Sequence, residues 1–501
     1  MKNASHIRPV PFARILPAVV AGIVAANAVR FPVWPVATAA GVALAAAVLT
    51  GRRPAAASLL TYTAIFLSAA AVTLATRPRT VMPHDQRLVM TMAVTDTPEA
   101  AGRWTKATVR IDRYRAFAGG DTAWHFSGEK AVARFDTSFR IRPGERLIAT
   151  GYAGKLGSAD YAWYARLMQR RGYSQSVWID GRQKLLSLPG RHLTPRYCAA
   201  RMQAGAAERL SRLGLPPAAM SIGYRGGLPA GVRDDYGTTG ASHLLAVSGL
   251  HVGIVAMLVN LLLWLLPAFR YGHIIKNAAA ITAIWLYTAL TGLPPSAVRA
   301  AMMFTGAQLA LAASRTGNSA NILLATATVM LLVNPNYLYD ISFQLSFTAV
   351  AGIFLFYRPL YGLVHSRIKA LNAFWAIFMV GLAASLATAP LVSYYFGRIP
   401  LIGIILNPLL ILTANATVLL SLLWIIAPLP LLQGPFSAAI GAAAGLQNAV
   451  VGLAAEKSWA SFPLRLEAWQ VIALYAAVLA ACLLLRGRKT KHNEPSLSET
   501  I

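Results

Sequence analysis

The amino-acid sequence predicts a polytopic α-helical membrane protein with an inserted extracytoplasmic small β-barrel domain. Three observations predict it. Of 501 residues, 56% are hydrophobic and 13% charged, far from the usage of a soluble domain. The apolar residues gather in runs close to the ~20 that a helix needs to cross ~30 Å of hydrocarbon. One internal stretch, 85–240, breaks this pattern with 24 Lys and Arg, 13 Asp and Glu, and no run long enough to span.

Apolar runs at 12–29, 33–50 and 55–76 give three N-terminal crossings within residues 1–80. Positive residues precede the first run and small residues follow it, as in a secretory signal. Two further long runs arrive at once, so the first is read as an uncleaved anchor. In the insert, residues 81–192 alternate apolar and polar positions, as at Thr105, Ala107, Val109 and Ile111 and again over Ala131 to Phe135. Turn signals stand at Gly119-Gly120 and Pro143-Gly144. This is the period-2 signature of short strands, and a small barrel is their natural closed form. Residues 193–240 change to helical spacing, with Met202, Ala206, Leu210 and Leu213 on one side and Arg201, Glu208, Arg209 and Arg212 elsewhere, as in an amphipathic connector at a membrane surface.

The membrane region resumes over 241–486 with nine candidate crossings: 243–267, 274–292, 296–314, 320–333, 340–358, 373–392, 401–427, 436–455 and 468–486. The seventh is the least secure of the nine, because Asn407-Pro408 leaves it open to a break into a re-entrant piece. A basic tail, 487–501, ends the sequence. Positive-inside counting with a cytoplasmic N-terminus puts Arg52 and Arg53, Arg270 with Lys276, Arg315, Arg358 with Arg367 and Lys369, and the tail inside. It puts 81–240 outside. Arg30, Arg77, Arg79, Arg398, Lys457 and Arg465 fall outside too, but the larger clusters agree with twelve helices and two cytoplasmic termini.

Charge and motifs narrow the chemistry. The 46 Lys and Arg exceed the 18 Asp and Glu by 28, which excludes an acidic disordered tail and favours a polyanionic partner or a strong topological bias. Two cysteines, Cys198 and Cys482, supply neither a disulfide scaffold nor a thiolate metal site. The nine histidines show no metal-ligand spacing and no phosphate-binding P-loop occurs. No metal or cofactor is therefore expected.

Four polar clusters interrupt the membrane region. The run GASHLLAVSGLHVG, 240–253, sets His243, Ser248, Gly249 and His251 where the insert re-enters the membrane. It reads either as a discontinuous transporter helix or as a small-residue helix interface with hydrogen-bonded histidines. In LPPSAVRAAMM, 293–303, Arg299 sits inside a helix opened by prolines. Burying it costs about 2.5–3.5 kcal/mol even on the lenient insertion scale, so it calls for a partner or an aqueous cavity, unless it snorkels to the outer headgroups. Asp340, the one acid between Asp235 and Glu456, is the obvious counter-ion and lies beside Gln344 in the third cluster. The fourth runs from Thr388-Ala389-Pro390 to Asn407-Pro408.

The runs HLLAVSGLHV, LPPSAVRAAMM, NPNYLYDISFQLSFTAVAGI and LATAPL with NPLL following resemble, in that order, the competence domain of the ComEC family, the inner-membrane channel for DNA uptake in natural transformation. Upstream, Asp160-Tyr161-Ala162-Trp163-Tyr164 to Arg170-Arg171-Gly172-Tyr173 is similar to the closing segment of that family's extracytoplasmic OB-type domain. The resemblance implies that one DNA strand enters the cytoplasm while the other is degraded outside. It further implies a separate nuclease, a DNA receptor and a cytoplasmic motor as partners, besides membrane lipid, and leaves a homo-oligomer open. Many members carry a metallo-β-lactamase-like nuclease after the membrane domain. Its H-x-H-x-D-H motif is not in this sequence, so strand degradation is expected from another protein and this chain is not expected to be an enzyme.

A path for single-stranded DNA should be cationic and lined by stacking faces. The insert, at net +11, carries Trp104, Tyr114, Phe117, Trp124 and Phe126 among its arginines. Arg103, Trp104, Arg113, Arg115 and Trp124 are its candidate DNA contacts, although aromatic residues also fill barrel interiors. His243, Ser248, Gly249, His251, Arg299, Asp340 and Gln344 are the candidates along the membrane path. Two competitors remain: a secondary transporter of a small anion with proton movement through His243, His251 and Asp340, and an intramembrane hydrolase pairing Ser248 or Ser242 with a histidine. No acidic orienter or G-x-S-x-G elbow accompanies the latter.

Overall fold

The computed structural model describes residues 10–491 except 30, 52, 78–81, 118–122, 157–164, 166–167, 170–171, 182–184, 192–193, 225–227, 266–270, 313–317, 365 and 427–429. Most of the segment resembling the OB-type closing motif, the Gly119-Gly120 turn, the charge markers Arg30, Arg52, Arg79, Arg270 and Arg315, and the tail beyond 491 lie outside the described residues.

Three apolar helices come first, α1 (Phe12–Ala28), α2 (Val33–Leu49) and α3 (Pro54–Ala75). Seven strands follow: β1 (Gln86–Val94), β2 (Glu99–Ala101), β3 (Trp104–Ala116), β4 (His125–Asp136), β5 (Glu145–Gly154), β6 (Tyr173–Ile179) and β7 (Leu185–Arg191). Their pairing runs β1-β3-β4-β6-β5, and β5 returns to β1, so five strands close on themselves; β2 extends β3 and β7 extends β5. The β4–β6 pair is parallel and the other pairs are antiparallel. The alternation explains the interior: Leu88, Met90, Met92, Ala107, Val109, Ile111, Ala131, Ala133 and Phe135 point inward and are fully or almost fully buried. A sheet closed this way has no free edge within the ring.

The connector folds as α4 (Pro195–Leu210), α5 (Leu215–Ile222) and α6 (Ala230–Thr238). The Thr194 hydroxyl caps α4 by accepting the Tyr197 N–H. Its buried face carries Ala206, Ala207 and Leu210 against Ala218 and Ile222, with Leu213, Leu290, Trp424 and Ile425 alongside. Met202 lies outside this face and is exposed.

Nine helices follow among the described residues: α7 (Gly249–Leu262), α8 (Gly272–Leu290), α9 (Pro295–Ala312), α10 (Ser319–Val333), α11 (Ile341–Tyr361), α12 (Lys369–Phe396), α13 (Ile402–Ile426), α14 (Pro430–Ala455) and α15 (Ala468–Lys491). Among the described residues five helices, α3 and α11 to α14, are long and apolar enough to cross a membrane, and five more apolar helices are shorter. This is the architecture of a polytopic membrane protein. One expectation changes: the crossing placed at 243–267 begins at Gly249, because Ser248 caps the helix there. The seventh candidate, 401–427, is one helix, α13, with Pro408 inside it; the proline costs its own ladder bond, which membrane helices tolerate.

By contact the chain forms two compact units. One comprises the described parts of 1–234, 241–347 and 409–450, the other those of 235–240, 348–408 and 451–501. In the second, strands β8 (Arg398–Pro400) and β9 (Ser461–Pro463) pair antiparallel, and Ile402 packs with Ala454 and Ala460.

Candidate functional site

The outward positions of the barrel build a cationic aromatic patch. Trp104 and Lys106 share the outer face of β3, and Lys106 stands opposite Arg134 of β4. Arg134 in turn pairs in register with Trp178 of β6, and Trp178 with Tyr152 of β5. Four strands thus bring these side chains together. The Trp104 and Trp178 rings meet edge to face with centroids 5.8 Å apart. The Arg134 guanidinium lies over Trp178 at 4.2 Å, steadied by a 2.9 Å bond from Nη1 to the Ser176 hydroxyl, and Arg103 lies over Trp104 at 5.3 Å. Trp178 and Tyr152 remain 39% and 42% exposed, which leaves aromatic surface free for stacking.

Arg113, Arg115 and Trp124 fall at the other end of the β3–β4 ladder. Arg113 pairs with Phe126 and Tyr114 with His125, beyond a bulge after Ile111 that re-aims the strand. Arg115 lies over Trp124 at 5.2 Å, and Phe126 is 71% exposed. The five barrel candidates therefore divide between two ends of one ladder. Arg134, Tyr152 and Trp178, which complete the patch around Trp104, were not among them. The signal was the outward register of alternating strands, usable only once the β4–β6 pairing is known.

In the membrane region, Arg299 is 3% exposed and does not snorkel. Its Nη2 donates to the Ser342 hydroxyl at 3.3 Å. Its Nε and Nη1 are buried without a hydrogen-bond partner among the described residues. Asp340 and Tyr337 lie within Coulombic reach. Asp340 is also buried and serves α11 as its N-cap, its Oδ1 accepting the Phe343 N–H at 3.1 Å. Gln344 donates to the Leu338 carbonyl at 2.9 Å, which braces the short 3-10 turn Pro335–Tyr339.

The histidine segment shows a different economy. Ser248 and His251 form a capping box at the start of α7, with the Ser248 N–H donating to His251 Nδ1 at 3.4 Å. The spacing that suggested a nucleophile and base is thus used to cap a helix. His251 is fully buried and its Nε2 has no partner among the described residues, while His243 is exposed in a 3-10 turn ahead of the cap. A Cβ on Gly249 would touch Ala300 at 3.6 Å, and one on Gly253 would press Phe304 at 3.3 Å. These glycines let α7 lie close to α9, the helix that carries Arg299, as at small-residue membrane interfaces.

Residues 220–488, more than half of the chain, match the family model described as Competence protein. The chain is 33% identical over 197 residues to ComE operon protein 3 of Bacillus subtilis (strain 168), covering 38% of this chain and 24% of that protein. It is 35% identical over 184 residues to an uncharacterized protein of Aquifex aeolicus (strain VF5), covering 36% of this chain and 40% of the relative. The matches thus span about a quarter and two fifths of the lengths of these relatives. No solved structure matches the chain.

Proposed function

Because this chain belongs to the competence protein family, we propose that it imports DNA during natural transformation, as an inner-membrane channel through which one strand passes. The observation that carries the reading is Arg299: a membrane-helix cation almost fully buried, with two guanidinium nitrogens that have no hydrogen-bond partner among the described residues. Asp340 lies within Coulombic reach, but neither of these two donors bonds to it, and a buried N–H left unmade is costly; a passing phosphate offers oxygens of the right kind. Asp340, His243, Ser248, Gly249, His251 and Gln344 support this path as neighbours and braces of its helices.

The barrel is the proposed receiving site. Its closed path β1-β3-β4-β6-β5 and the parallel β4–β6 pair support an OB-type domain, a fold that binds single strands on the outer face of its middle strands. The patch of Arg103, Trp104, Arg134 and Trp178 supplies stacking faces and cations there, as sequence-tolerant binding requires. The reading assigns no catalytic step to this chain: strand degradation and pulling belong to a separate nuclease and a cytoplasmic motor, with a receptor delivering the duplex.

Sidedness is part of the proposal, with cytoplasmic termini and an extracytoplasmic insert. Within the first unit, the Phe12 N–H donates to Asn321 Oδ1 at 3.3 Å and Asn27 donates to the Tyr339 hydroxyl at 3.3 Å. Both contacts join helix ends that alternation puts on one side. The packing of Trp424 and Ile425 beside Leu290 and the connector runs against the same alternation for α13. Labelling of single cysteines from either face decides that helix.

The test compares entry of fluorescent double-stranded DNA into the cytoplasm of wild type, a deletion strain and an Arg299→Ala strain, with surface binding scored separately. Bound DNA that never enters the deletion strain is the expected result. Uptake unaffected by the deletion overturns the reading and makes import of a small anionic solute the one to pursue.

A further inference from the structure

One amide ties the barrel to the end of a membrane helix. Gln203, on α4, accepts the Thr97 hydroxyl at Oε1, 2.8 Å away, from the corner between β1 and β2. Its Nε2 donates to two carbonyls, Ile222 at the end of α5 and Thr291 at the end of α8, each at 2.9 Å. Both amide hydrogens and the oxygen are therefore used, and the two carbonyls fix which end of the amide is nitrogen. The chain beyond Thr291 is shaped to receive this side chain. Gly292 has φ +82°, and a Cβ there would fall 2.7 Å from Gln203 Oε1. Leu293 follows at φ +55°, a conformation that costs a non-glycine residue energy and persists only where its surroundings enforce it. Pro294 and Pro295 then open α9, and Arg299 lies one turn further on. A cavity of ≈ 160 Å3 adjoins the joint, lined by Thr95, Asp96, Thr108, Tyr173 and Arg196 besides Gln203 and residues 292–295.

We infer that Gln203 is a positioning residue that holds the barrel in register with the turn that opens the Arg299 helix, so that a strand bound on the barrel is presented to the membrane path. The inference rests on the DNA-import reading for its functional half. Its structural half stands on the Thr97–Gln203–Thr291 contacts. A residue that merely filled space would be replaceable by any side chain of the same shape. One that works through two N–H donors is not.

Gln203→Glu separates these cases. It keeps shape and the oxygen that accepts from Thr97, and at neutral pH turns a second oxygen without hydrogen toward two carbonyls. Acidification returns one O–H donor. Asp96, Arg196 and Tyr173 line the neighbouring cavity and Glu99 acts on Asp96, so each variant is compared with wild type at the same pH. Spin labels at Thr137 and Leu309, in full-length protein with Cys198 and Cys482 replaced by Ser, report the barrel-to-α9 distance. The expected result is a narrow distribution in wild type, a broad one in Gln203→Glu at neutral pH, and narrowing on acidification. DNA uptake should fall about tenfold at neutral pH and recover in parallel, with surface DNA binding unchanged. Gly292→Ala, which displaces the amide, should behave alike without the pH recovery. An unchanged distance distribution in both variants overturns the inference, as does normal uptake with a broadened one. Broadened distances together with no DNA entry in wild type overturn the import reading and leave the joint intact.

Discussion

Arg299 of α9 donates to the hydroxyl of Ser342 in the first turn of α11, with Asp340, the cap of that turn, within Coulombic reach. The arrangement half-satisfies a buried cation. Replacing it with an apolar side chain of similar length removes the desolvation cost of the guanidinium but also the Coulombic attraction it exerts on the buried Asp340 carboxylate, and leaving a buried charge less compensated costs about 3 kcal/mol or more. Arg299→Met is therefore expected to destabilise the protein by about that amount and to abolish DNA entry. Adding Asp340→Asn, which keeps a capping oxygen, should restore the thermal stability in detergent without restoring entry. Recovery of both would make the pair structural only.

Ser248 carries a different expectation. As the cap of α7 it should lose about 1 kcal/mol of stability on Ser248→Ala, whereas Ser248→Thr should keep both stability and DNA entry. A hydrolase would instead be labelled by a serine-reactive phosphonate, and that labelling would vanish in Ser248→Ala. Labelling of the wild type would revive the catalytic reading.

The contrast between these two residues shows what the sequence could and could not disclose. Each of the nine candidate crossings after the insert overlaps a helix, and four of these helices, α11 to α14, are long and apolar enough to span, because an apolar run is written locally. Strand existence was equally local in the alternation at Ala107, Val109 and Ile111. Strand order was not: the parallel β4–β6 pair and the return of β5 to β1 join residues far apart in sequence, so the Trp104–Trp178–Arg134 patch had no local sign. Ser248 and His251 mislead for a related reason, since an i, i+3 pair at a helix start serves a cap as well as it serves catalysis. Arg299 and Asp340 were legible because charge in an apolar helix is costly enough to demand an explanation.

The barrel patch yields a binding prediction. Base stacking on an aromatic side chain is worth ~1–3 kcal/mol, so Trp178→Ala should weaken binding of a short oligothymidine to full-length protein in nanodiscs by roughly that amount. Arg134→Ala should also flatten the salt dependence, by about 0.7 in the slope of log K against log salt if its guanidinium meets one phosphate of a single strand. Fluorescence anisotropy across a salt series measures both. Equal slopes for wild type and Arg134→Ala would mean that Arg134 only orients Trp178.

Asp96, at the base of the barrel beside α4, yields a prediction in pH. Burial raises its carboxyl from 3.8 to about 6, against the lowering effects of its hydrogen bonds with Thr108 and of Arg196, while Glu99 adds to the rise. The folded protein thus holds this proton more tightly than the unfolded chain does. The ionised group is a liability that is absent below about pH 4, grows as pH rises through the interval up to about 6, and is constant above it, reaching at most about 3 kcal/mol. Asp96→Asn keeps an oxygen for the Thr108 N–H, which donates to Asp96 Oδ1 at 2.8 Å, and removes the charge. The variant should therefore be more stable than wild type at neutral pH, with the difference closing as the solution is acidified toward pH 4. Thermal melting of both full-length proteins across that range measures it. A stability difference of the same size at every pH would show that ionisation of Asp96 plays no part.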